Sequence, residues 1–104
     1  MGKKKYDIYE LLVISKPEKQ NEIIESTKKL LNNEKIEIAD FTIWGEKFLA
    51  YPIIRNHKKY NMGHYVQYYI KIEKDKANEI VPKIEKMLFY NSDVLKVFIV
   101  KKLR

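Results

Sequence analysis

Cysteine is absent from this chain. Disulfides, thiolate nucleophiles and cysteine-based zinc sites are thereby excluded. Glycine is limited to Gly2, Gly45 and Gly63, so no glycine-rich phosphate loop exists. The only histidines are His57 and His64, and neither has a carboxylate or second ligand at metal spacing. His64 reads as a packed or surface strand residue. Serines are few, and none sits in a nucleophile elbow. The chain is therefore expected not to be an enzyme, and to use no cofactor, no metal and no small-molecule substrate. No apolar run approaches the ~20 residues of a membrane helix, so no membrane partner is expected. The N-terminus lacks a signal-like apolar stretch. Met1-Gly2 is not followed by the Ser or Thr at position 6 that myristoylation wants, because Tyr6 stands there. A cytoplasmic location is expected by default.

What is present is positive charge. Twenty-one Lys and Arg against 14 Asp and Glu leave a net charge of +7. A basic balance favours nucleic acid or an anionic surface as partner. The blander alternative is a lysine-rich solvated surface with no ligand. At 104 residues the chain is expected to be one domain, 1–104. Apolar residues make up 45% and recur with regular periods, so it should fold.

Those periods give the layout. Residues 6–14 are apolar and β-branched, a first strand. Ser15-Lys16-Pro17-Glu18 reads as a helix start, with Ser15 and Glu18 spaced as a capping box. Ile23, Ile24, Thr27, Leu30 and Leu31 then share a helix face, and Asn32-Asn33 ends it. Residues 36–53 read as one long irregular strand, interrupted near Ala39-Asp40 and at Gly45. A third strand spans 64–73. A second helix spans about 75–89, with Ala77, Ile80, Val81, Ile84, Met87 and Leu88 inward and Pro82 inside it. A last strand spans 94–101. The order β-α-β-β-α-β predicts an α+β, ferredoxin-like fold: a four-stranded antiparallel sheet, first and third strands central, two helices on one face.

The other face of such a sheet is open, and alternation assigns its residues. Val66, Tyr68, Ile70 and Ile72 point to the helices, and Tyr65, Gln67, Tyr69 and Lys71 point away. Leu11, Val13, Val97 and Ile99 go inward; Leu12, Ile14, Lys96, Phe98 and Val100 go outward. Aromatics and lysines on an open sheet suit stacked bases and phosphates, or a protein partner with nucleic acid at the rim. Tyr65, Tyr69 and Phe98 are the candidates on that face; the plain alternative is that they lie flat under neighbouring side chains. Between the second and third strands, Arg55-Asn56-His57-Lys58-Lys59-Tyr60 reads as a basic loop projected on a hairpin. Arg55, Lys58 and Lys59 there are candidate phosphate ligands, as are Lys4 and Lys5 of the N-terminal Lys3-Lys4-Lys5. Ordinary solvation is the alternative for both groups.

Four segments, in order, carry a resemblance. They are Tyr9-Glu10 with its apolar strand up to Pro17, Leu49-Ala50-Tyr51-Pro52-Ile53, Gly63-His64-Tyr65-Val66, and Asp93-Val94-Leu95-Lys96-Val97-Phe98-Ile99-Val100-Lys101. Together they resemble the bacterial small-subunit ribosomal protein six family over nearly the whole chain. The resemblance implies a non-catalytic constituent of the small ribosomal subunit. It implies binding to the central domain of small-subunit rRNA, together with ribosomal protein eighteen of that subunit, during platform assembly. Carried over by position, Lys47, Tyr51, Arg55 and Lys96 match the family's rRNA-facing pattern. The chain departs at Phe48, where the family usually has a second basic residue. Tyr6 competes with Tyr9 for the opening motif, and Tyr9 keeps the distance to Pro17. Two other classes are weighed. Gly63-His64-Tyr65-Val66-Gln67-Tyr68 is reminiscent of the third-strand motif of a stand-alone single-strand RNA-recognition module. A small ferredoxin-like enzyme such as an acylphosphatase would need an anion-cradling loop where Ser15-Lys16-Pro17-Glu18 stands.

Overall fold

Alternation of apolar residues at period 2, then 3.6, then 2 again produces the expected order of elements. In the computed structural model, which describes residues 5–103, strand β1 (Tyr6–Ser15) leads through a 3-10 turn (Pro17–Lys19) into helix α1 (Gln20–Asn33). Strands β2 (Glu37–Arg55) and β3 (Lys58–Glu73) form a hairpin. A second 3-10 turn (Lys74–Lys76), helix α2 (Ala77–Tyr90) and strand β4 (Val94–Lys101) complete the chain. The sheet is antiparallel in the order β2-β3-β1-β4, so β1 and β3 are central. This is the ferredoxin-like α+β fold. Lys4 lies outside the described residues.

The core lies between the sheet and the two helices. Leu11 and Val13 of β1 and Val66, Tyr68, Ile70 and Ile72 of β3 meet Ile23, Ile24, Thr27 and Leu31 of α1 and Ile84 and Leu88 of α2. Each fully buried aliphatic side chain there contributes about 1.5–3 kcal/mol. Thr27 is tolerated because its hydroxyl donates to the Ile23 carbonyl at 2.7 Å. Tyr68 is fully buried, its hydroxyl has no hydrogen-bond partner, and burial pushes its pKa up to about 12.

Four local expectations are corrected. Ser15 does not cap α1: it ends β1, buried, paired with His64 and Val94, and neither the 3-10 turn nor α1 has a side-chain cap. The Lys16 amide donates to the Asp93 carbonyl at 3.0 Å, which keeps the chain extended past Ser15. The basic stretch after β2 is not a long loop. Arg55 pairs with Lys58 across a turn of only Asn56 and His57, whose φ values of 53° and 66° are those of a type I′ hairpin. Ile14 faces away from the helices as expected, yet it is 3% exposed, for a reason given below. Met87 stays 41% exposed, because it sits at the outer seam between α1 and α2.

Candidate nucleic-acid interface

The longest strand is also the most irregular, and its irregularities build the site. Nineteen residues of straight strand would run to roughly 60 Å. The molecule is 52 Å in its longest dimension, and β2 slips register with β3 three times. The first two slips lie at Ile38/Asp40 and Ile43/Gly45, near the expected interruptions. The third was not visible in the sequence: residues 49–52 of β2 stand against Asn61 alone, since Phe48 pairs with Met62 and Ile53 with Tyr60. This bulge consists of Leu49-Ala50-Tyr51-Pro52, and proline, which has no N–H to give a ladder, is at home in it.

The bulge folds back over one end of the open sheet face. Leu49, Ile53 and Tyr65 pack on a second small cluster of buried Ile14, Tyr60 and Leu95. Leu95 joins it because β4 slips register opposite Ile14/Ser15. Gly63 allows the approach, since a Cβ there would lie 2.5 Å from Cγ2 of Ile14. A shallow groove of about 240 Å³ results, lined among others by Tyr51, Pro52, Tyr65, Lys96 and Phe98.

Arg55 anchors the hairpin that carries the bulge. Its Nε donates to the Val94 carbonyl at 3.1 Å, and its Nη2 donates to the carbonyls of Phe89 and of Asn91. The guanidinium also lies 3.9 Å over the Phe89 ring. Arginine suits this position, because a planar fork satisfies several carbonyls at the negative end of α2 while stacking on an aromatic face. Its Nε and Nη2 therefore point at backbone carbonyls.

The other expected residues divide by position. Lys47, Lys58, Lys59 and Lys96 are exposed, as is Lys5 just before β1. The Lys58 ammonium sits 5.3 Å over the Tyr60 ring, and that of Lys96 sits 5.3 Å over Phe98. Tyr51 is 82% exposed on the bulge. Tyr65, Tyr69 and Phe98 all share the face away from the helices. Register places Lys96, Ile14, Tyr65 and Gly45 in one cross-strand row. Phe98, Leu12, Gln67 and Thr42 form the next, and Val100, Glu10, Tyr69 and Asp40 the third. The structure thus gathers Tyr51, Tyr65, Lys96 and Phe98 around one groove. Lys58 and Lys59 flank the hairpin turn, and Lys5 and Tyr69 lie toward the opposite end of the sheet.

Three contributors were missed from sequence. Trp44 stacks on Tyr65, ring planes within 3° and centroids 6.2 Å apart. Lys102 lies 4.7 Å over the Tyr69 ring. Lys16 bonds Asp93 at 3.3 Å and lies 5.5 Å from the Tyr60 ring centroid. The Tyr60 hydroxyl raises the Lys16 pKa most, desolvation opposes it, and Asp93 adds a smaller rise. Only Trp44 carried a sequence signal, as the sole tryptophan beside a strand glycine. On the helix side, His64 is buried opposite Glu46 with Nδ1 unpartnered, and burial lowers its pKa despite that carboxylate.

An antiparallel sheet with helices on one face, and cations and aromatics on the other, defines a ferredoxin-like domain whose candidate site is a surface. The family model for ribosomal protein S6 matches residues 8–101, and the chain belongs to that family. It is an RNA-binding protein of the small ribosomal subunit. Its fold is similar to the crystal structure of 30S ribosomal protein S6 from Thermotoga maritima, with TM-score 0.78 and 22% identity, over 94% of this chain and 89% of that one. It is also similar to the C-terminal domain of the MgtC protein from Mycobacterium tuberculosis, with TM-score 0.68 and 8% identity, over 98% and 94% of the two chains. At such identities these two likenesses concern the fold alone.

Proposed function

We propose that this protein binds the central domain of small-subunit rRNA together with ribosomal protein eighteen of that subunit, as a non-catalytic assembly protein of the cytoplasmic ribosome. The observation that carries this is the groove beneath the Leu49-Ala50-Tyr51-Pro52 bulge, where exposed Tyr51 and Phe98 stand beside Lys96. Lys47, Lys58, Lys59 and Lys96, with Lys4 and Lys5 before β1, supply phosphate contacts that position the protein on RNA shape without reading sequence. The protein partner takes the outer strand. On β2, which has a free edge, Ile43, Phe48 and Ile54 are 53%, 78% and 73% exposed. Phe48 stands where a second basic residue is usual, which exchanges a phosphate contact for an apolar one.

A sucrose gradient of cell lysate tests the assignment: the protein should travel with the small subunit and remain there at moderate salt. A position at the top of the gradient under both conditions would refute it and favour a stand-alone single-strand RNA-recognition module. In a purified system, each neutralised phosphate should add about −0.7 to −0.9 to the slope of log affinity against log salt. Lys47→Ala and Lys96→Ala should each flatten that slope by about one contact. An unchanged slope in both variants would remove them from the phosphate ligands.

A further inference from the structure

Trp44 has a placement that packing does not explain. It occupies the extra position where β2 slips register between Ile43 and Gly45. Gly45 takes φ of +88°, a conformation that side-chain-bearing residues rarely adopt. The kink sets the indole parallel to Tyr65. Yet Trp44 remains 44% exposed and belongs to neither hydrophobic cluster.

We propose that Trp44 and Tyr65 form a stacking platform for an unpaired RNA base, with Lys96 placed to meet the phosphate of the same strand. This rests on the RNA-binding reading above and adds the ligand chemistry of the open face. Three observations support it. Trp44 is held parallel to Tyr65 yet stays 44% exposed, and a base can extend such a stack without sequence readout. Lys96 lies in the same cross-strand row as Tyr65, two strands away or roughly 10 Å. Lysines also accompany the aromatics along this face, Lys96 over Phe98 and Lys102 over Tyr69. Protein–protein interface cores are depleted in lysine, whereas nucleic-acid surfaces use it, so RNA is the favoured occupant in a chain of net charge +7.

Trp44 is the only tryptophan, so the full chain carries its own probe. Its fluorescence is titrated at low salt with hexaadenylate and, separately, with an abasic ribose-phosphate hexamer of equal charge. Hexaadenylate should quench saturably and the abasic hexamer should not. Tyr65→Leu keeps apolar cover over Ile14 and should raise the half-saturating concentration about tenfold. A melt by circular dichroism checks that the variant is folded. Should it not fold, Trp44→Leu with a fluorescently labelled hexaadenylate reads the same loss by anisotropy. Equal binding of the two hexamers would overturn the stacking site and leave the phosphate contacts standing. Quenching by neither would also overturn it, while the gradient and salt-slope experiments decide the ribosomal reading on their own. Quenching by purified ribosomal protein eighteen, with hexaadenylate then excluded, would assign the face to protein and overturn it as well.

Discussion

Substituting Gly63 by alanine tests how the signature bulge is held over the sheet. The new Cβ would lie 2.5 Å from Ile14 Cγ2, 3.4 Å from Leu49 Cδ2 and 3.5 Å from the Ser15 carbonyl oxygen. Carbon atoms pack best at about 3.5–4.0 Å, so the first contact is short by about 1 Å. Ile14 cannot yield easily, being 3% exposed among Tyr60, Leu95 and the bulge residues. Overpacking of this kind costs about 1–3 kcal/mol. Gly63 lies in a regular strand position, so alanine also returns about 0.4–1 kcal/mol by restricting the unfolded chain. The net expectation is a loss of about 1–2 kcal/mol, or a melting temperature lower by about 4–15 °C. Urea unfolding of the wild type, Gly63→Ala, Ile14→Ala and the double variant measures it. Ile14→Ala alone should cost about 2–5 kcal/mol, and it removes the clashing methyl. The double variant should therefore lose at least about 1 kcal/mol less than the sum. A neutral Gly63→Ala, or strict additivity, would show that Gly63 does not seat the bulge against Ile14, and the reasoning would fail.

Other outcomes follow from the same contacts. Arg55→Met should cost about 1.5–3 kcal/mol in urea unfolding, from lost charge-assisted bonds to three carbonyls, and the same variant, while folded, should leave the salt slope of rRNA binding unchanged. A reduced slope in Arg55→Met would instead make the guanidinium a phosphate ligand. Tyr68→Phe should stabilise by about 1 kcal/mol, because it removes a buried hydroxyl without a partner; a loss of that size would mean the hydroxyl is bonded. His64 has a lowered pKa when folded, so the unfolded chain binds the proton more readily. Stability should be full above the ordinary histidine pKa of 6.5 and fall as pH drops below it, toward the folded value. Urea midpoints at successive pH values should show this decline, and His64→Gln should remove its part of it.

Periodicity was legible wherever a segment met one environment along its length. The burial of Val66, Tyr68, Ile70 and Ile72 against the helices follows from alternation alone, as does the span of β4. The inward face of α1 follows from its 3.6-residue repeat. The family resemblance was legible for the same local reason, since it rests on short runs of adjacent residues. Legibility failed where distant segments meet. Ser15 has the composition of a cap, but pairing with His64 and Val94 claims it for the sheet. Arg55, Lys58 and Lys59 look alike in sequence, and only the nearness of α2's last carbonyls separates a clamp from exposed cations.

From its sequence alone the chain determined its elements, their order, the inner faces of β1, β3, β4 and α1, and a basic surface, because these follow from local propensity and hydrophobic period. The tertiary structure decided where β2 slips its register, which aromatics face one another, and which cations remain free. Those depend on long-range pairing, where one extra residue in a strand turns a side chain to the other face. Trp44 on Tyr65 follows from the slip at Ile43/Gly45, and Leu49 over Ile14 from the larger one between Phe48 and Ile53.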